Sequence, residues 1–105
     1  MPDLNSFASA AQSTVSVANA STLIAAANLA RRFIRITNIS NEACNIGLGV
    51  AAEANKGIHL SALVDTAKPA ASGILEFPTP GGVMFTGAIY GITASGTKNV
   101  AVAEG

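Results

Sequence analysis

The stretch "ARRFIRITNISNEACNIGLGV", residues 30–50, decides the fold class. Within it Ile34 and Ile36 alternate with Phe33, Arg35 and Thr37. A period of two among β-branched and aromatic residues predicts a strand with one face turned to a core. "NISNEA" (38–43) breaks the alternation with turn formers, and Cys44, Ile46 and Leu48 recover it in "CNIGLGV". Two extended runs joined by a short Asn- and Ser-containing connection predict an antiparallel hairpin.

The same pattern continues in both directions. Upstream, "STVSVA" from Ser13 puts Val15 and Val17 on one face, "NAS" (19–21) supplies a turn, and "TLIAAAN" reads as either a second extended piece or a short helix. Downstream, "AAEANKG" (51–57) is a polar loop and "IHLSALV" a short strand, followed by loop formers in "DTAKPAASG" (65–73). "ILEF" is a strand stopped by "PTPGG". "VMFTGAIYGITAS" holds one or two strands, with Tyr90 and Ile92 on one side and Ile89 on the other. "KNVAVAEG" returns with Val100 and Val102 in register, so the last two strands read as a hairpin turning at Gly96. Seven or eight short strands without convincing amphipathic helices predict an all-β fold: an antiparallel β-sandwich or small jelly roll. Residues 1–12 are small and polar without a clean period and read as an N-terminal arm, leaving 13–105 as a single sandwich domain.

Composition narrows the function classes. Six basic and six acidic residues give zero formal charge, against the basic face that nucleic acid requires. Charged residues make up 11% of the chain, where globular proteins average about 25%. A surface so poor in charge suits a protein that is covered by other protein. Half the residues are apolar but many are alanine, tryptophan is absent, and each buried position contributes modest area, so oligomerisation is a reasonable source of stability. No run approaches the ~18 apolar residues of a membrane span, and the N-terminus lacks the charged start of a secretory signal.

The candidate chemical groups are sparse. "GLGVAA" (47–52) matches a loose dinucleotide fingerprint, but "EANKG" is too short for the helix that would receive a pyrophosphate. The glycines therefore read as strand-end residues, and no cofactor is expected. His59 is the sole histidine and lies on the polar side of a strand, which excludes a His-pair metal site. Cys44, the sole cysteine, alternates with Ile46 and Leu48 and reads as a small buried hydrophobe. The carboxylates are scattered singly, and no calcium loop is present. Asn19 and Asn38 head glycosylation sequons that have no consequence without secretion. Arg31, Arg32 and Arg35 form the one basic cluster. On a continuous strand Arg31 and Arg35 share a face and Arg32 points the other way. Two readings stay open for Arg31 and Arg35: contact with a carboxylate-bearing partner, or strand-end solvation with glutamate neighbours. No residue suggests catalysis, so an enzyme is not expected.

The segments "RRFIRITNIS…CNIGLGV…GIHLSA…GAIYGITASGTKNVAVAEG" resemble small β-rich structural proteins encoded in tailed-phage virion gene clusters. Those chains pair an Arg-rich strand ending in N-x-S with a strand ending in G-x-G, then a "GIxL" strand and a "GAIYAIxASGTxxVxVxEG" close. The likeness spans roughly the last three-quarters of this chain. It departs at "HLSALVDTAKPAASG", where the family has a shorter L-x-P-G turn. The resemblance implies a virion structural protein, foremost a capsid decoration (cement) protein on the assembled head. Its partners would be the major capsid protein and further copies of itself, a trimer by analogy with shell three-fold positions. A tail, fibre or head–tail joining component is the alternative within that class. A glycan-binding β-sandwich module is the alternative outside it.

Overall fold

A computed structural model describes residues 9–63 and 73–105. Eight antiparallel strands form two four-stranded sheets: β1 (Ala11–Val17), β2 (Thr22–Ala25), β3 (Ile34–Asn38), β4 (Cys44–Leu48), β5 (Ile58–Leu60), β6 (Ile74–Phe77), β7 (Ile89–Thr93) and β8 (Lys98–Glu104). The order in the first sheet is β1-β8-β3-β6 and in the second β2-β7-β4-β5. The pairs β1–β8, β2–β7, β3–β6 and β4–β5 are the rungs of one long antiparallel ribbon, folded at the β4–β5 turn and wrapped so that alternate couples fall in opposite sheets. That winding is a jelly roll.

The inward residues of both sheets meet in one core. Ile34 and Ile36 from β3, Val100 and Val102 from β8 and Val17 from β1 face Cys44 and Ile46 from β4, Ile89 from β7, Ile24 from β2 and Leu60 from β5. Burying an aliphatic side chain of this size stabilises by about 1.5–3 kcal/mol. With one tyrosine and no tryptophan, β-branched aliphatics supply most of this area. Gly91 lets β7 approach its neighbours, since a Cβ there would lie 2.6 Å from Ile24 Cδ1 and 3.1 Å from Cys44 Sγ.

Both expected hairpins are corrected. β3 and β4 lie in different sheets, as do β7 and β8, so 39–43 and 94–97 are arches that cross the roughly 10 Å gap between sheets. A buried polar residue at each strand end turns the chain. Asn38 Nδ2 donates to the carbonyls of Glu42 (2.7 Å) and Leu60 (3.0 Å), while Asn38 Oδ1 accepts from Ser40 N and Oγ. Thr93 Oγ1 donates to Val17 O (3.2 Å) and accepts from Gly96 N (3.1 Å). These bonds replace the tight two-residue turn that would keep both strands in one sheet. Among the described residues, β4–β5 is the one pair adjacent in both sequence and sheet.

Other boundaries moved less. "TLIAAAN" is extended over Thr22–Ala25, and β1 begins at Ala11, inside the expected arm, whose residues 1–8 lie outside the described residues. Most of the 65–73 loop also lies outside them. "VMFTGAIYGITAS" contributes one strand, β7, and its first residues complete the 78–88 loop, in which Thr79 N donates to Val83 O.

Candidate functional site

At one end of the roll the loops 26–33 and 78–88 converge on Arg31, while 49–57 leaves β4 beside them and folds back, with Val50 O over Gly47 and Ala52 N donating to Ser21 Oγ (2.9 Å). The Arg31 side chain is fully buried and occupied by chain-internal partners. Nε donates to Glu104 Oε2 (2.6 Å), Nη1 to the carbonyls of Phe85 (2.9 Å) and Gly87 (3.0 Å), and Nη2 to Ala26 O (2.8 Å). A planar guanidinium can serve so many acceptors at fixed angles. Arg31 therefore binds the 26–33 and 78–88 loops to the end of β8, and its guanidinium is not presented to a partner.

The expected shared face of Arg31 and Arg35 is corrected accordingly. Arg32 N and Phe33 N both donate to Gly105 O, at 2.9 and 3.1 Å. Two residues opposing one is a β-bulge, and it resets the in–out alternation just before Ile34. Arg31 is thereby turned inward and Arg32 left exposed, while Arg35 projects from the outer face of the first sheet.

Each of these three loops carries one strongly exposed apolar side chain. Leu29 is 91% exposed, Val50 64% and Val83 62%, one from each loop. The loops are mutually fixed: Asn28 N donates to Thr86 O and Gly49 N to Ala88 O, both at 2.8 Å. Phe85 packs on Phe77 beneath them, with ring centroids 6.0 Å apart. Three large apolar side chains are thus held towards solvent by a hydrogen-bonded scaffold.

The outer face of the first sheet carries a groove of about 370 Å³. Ala101 and Ala103 of β8 form its floor. Gln12 and Thr14 stand on one side and Arg35 and Thr37 on the other, in the cross-strand rows Gln12–Ala103–Arg35–Glu76 and Thr14–Ala101–Thr37–Ile74. Among the described residues no hydrogen bond or ion pair engages the Arg35 guanidinium. Glu76, directly opposite on β6, is exposed beside it.

The remaining candidates are dispersed. His59 is exposed on β5, opposite Asn45. Cys44 is buried, and burial pushes its thiol pKa up, away from a nucleophilic thiolate. Gly47 and Gly49 occupy the end of β4 as it enters the hairpin loop, and a Cβ on Gly47 would lie 2.5 Å from Val50 O. Glu42 joins the two arches. It accepts from Ser95 N (2.8 Å) and Ser95 Oγ and lies 4.0 Å from Lys98 Nζ. The Ser95 hydroxyl, then the Ser95 N–H and the Lys98 charge, hold its carboxyl below the usual range. Among the described residues no group of three or more His, Cys, Asp or Glu could hold a metal, and no buried polar side chain lacks a partner.

Sequence reasoning missed Arg31, Asn38 and Thr93 as buried polar keys. Asn38 with Ser40 two residues on carries a readable signal for a side-chain-capped turn. Arg31 and Thr93 carry none, because their roles depend on backbone from distant segments. Comparison with protein-family models, curated proteins and solved structures found no match.

Proposed function

We propose that this protein is a virion structural protein of a tailed phage: a decoration protein that binds the assembled head shell and stabilises it. The supporting observation is that Leu29, Val50 and Val83 are exposed on three loops joined to one another by Arg31 and by the Asn28–Thr86 and Gly49–Ala88 backbone hydrogen bonds. Exposed apolar side chains on a fixed scaffold are what a docking surface presents before it is covered. The charge-poor composition agrees with a surface that is covered in use, and jelly rolls serve in viral shells as well as in lectins. The partner is the major capsid protein, met by the exposed loop side chains, with Arg35 available on a neighbouring face for a carboxylate. Repeated copies on the shell supply avidity, so no single contact need be strong.

The test mixes the purified chain with shells assembled without it. Saturating, stoichiometric binding is expected, together with raised shell resistance to heat. Leu29→Asp with Val83→Asp should weaken binding by about tenfold or more, each apolar contact contributing on the order of 1–2 kcal/mol. Binding unaffected by these changes, or absent altogether, overturns the reading. Absence with retention on a glycan array would favour a sandwich lectin.

A further inference from the structure

Three of the four sheet edges are short: β2 and β6 have four residues each and β5 has three. The fourth, β1, runs for seven residues, "AQSTVSV", without a charge, a proline or a break in register against β8. Soluble proteins blunt long edges with charges, proline or bulges, because unpaired backbone groups accept another strand. β1 carries none of these devices.

The direction of its backbone groups follows from the ladder. Gly105 exchanges both hydrogen bonds with Phe33, so its N–H and C=O point towards β3. Successive residues alternate, which aims the groups of Glu104, Val102, Val100 and Lys98 at β1. Their register partners Ala11, Ser13, Val15 and Val17 are thereby satisfied. Gln12, Thr14 and Ser16 point the other way, off the sheet. Ala18 fits the same parity, since its N–H and C=O turn away from β8 to Thr22 Oγ1 and Thr93 N. Gln12, Thr14 and Ser16 are all exposed, and no backbone bond reaches them among the described residues.

We propose that β1 is a homodimer interface, in which a second copy of this chain adds its own β1 antiparallel across a two-fold axis at Thr14. That axis pairs Thr14 with Thr14, Gln12 with Ser16 and Ser16 with Gln12, so each outward-pointing residue of one copy meets an outward-pointing residue of the other. Every free N–H and C=O on the edge finds its complement, and the two four-stranded sheets become one of eight. The strand holds no charge to repel its copy, a Thr–Thr pair falls on the axis, and half-buried Val15 is brought beside the partner's Ser13. The strand shares no residue with the exposed loop positions Leu29, Val50 and Val83. A trimer, implied by the resemblance, would leave this edge to some other strand.

Sedimentation equilibrium of the full chain tests the pairing. The expected mass is twice 10.5 kDa, falling to 10.5 kDa on dilution. Thr14→Pro removes both N–H donors at the axis and no bond to β8, so it should weaken dimerisation by about tenfold or more with the sheet intact. Thr14→Lys should do the same by repulsion, and added salt should partly reverse it. Hydrogen exchange gives a local readout: the Gln12, Thr14 and Ser16 amides should be protected in concentrated protein and lose protection on dilution, while Ser13 and Val15 stay protected. A 10.5 kDa mass at every concentration overturns the proposal. So does an oligomer indifferent to both Thr14 variants, or edge protection that does not change with dilution.

Discussion

Arg31 shows how one residue's meaning depends on a backbone irregularity beside it. On an uninterrupted strand it would stand on the surface with Arg35. The doubled donation of Arg32 and Phe33 to Gly105 turns it inward, where three carbonyls and the Glu104 carboxylate compensate its lost hydration. Arg31→Ala should therefore destabilise the fold by about 3 kcal/mol, by stranding Glu104 and three carbonyls. Urea denaturation should show a lower midpoint at unchanged slope. Arg31→Lys should recover only part of the loss, because a lone ammonium cannot span acceptors on both loops and β8. Arg35→Gln, on the open face, should leave the unfolding free energy within about 0.5 kcal/mol of the parent. The contrast between two arginines four residues apart separates scaffold from surface.

At the scale of elements, the two arches behave as a unit because Glu42 on one accepts both the Ser95 hydroxyl and N–H on the other. Its carboxyl is lowered in the folded chain, so the unfolded chain binds a proton at higher pH than the folded one. The contribution is complete above the ordinary carboxylate range, about pH 4, and is lost as pH falls through the folded value. Thermal melts between about pH 6 and pH 3 should show less acid sensitivity in Ser95→Ala than in the parent. The strands joined by these arches were legible in sequence, since Ile34/Ile36 and Val100/Val102 declare their inward faces by alternation alone. Their sheet assignment was not. Period two reports which side of a strand is buried, but both sheets bury a face against the same core, so a β3–β4 hairpin and a β3–β4 arch look alike. The turn polarity of Asn38 and Ser40 distinguishes them only once Leu60 O is known to lie within reach. The candidate surface was still less legible. Leu29, Val50 and Val83 stand in unrelated loops, and only the winding of the ribbon brings those loops to one end.

For the whole molecule, the position of β8 between β1 and β3 bears on the order of assembly. β8 is a central strand of the first sheet, and β1 depends on it: Ala11–Val17 find their ladder partners only in Lys98–Glu104, whereas β3 pairs with β6 as well. No two neighbours in the first sheet are consecutive in sequence, so it cannot be built from local hairpins. Its closure joins β1 to β8, segments far apart in sequence. Such non-local pairing places refolding on the millisecond-to-second scale, roughly, rather than in microseconds, which stopped-flow fluorescence of Tyr90 can check. Until that closure β1 is an uncharged strand unpaired on both sides, so a slowly folding chain is at its most adhesive just before the sheet closes. Protein concentration and chaperone supply during folding, rather than final stability, would then limit the yield of soluble protein.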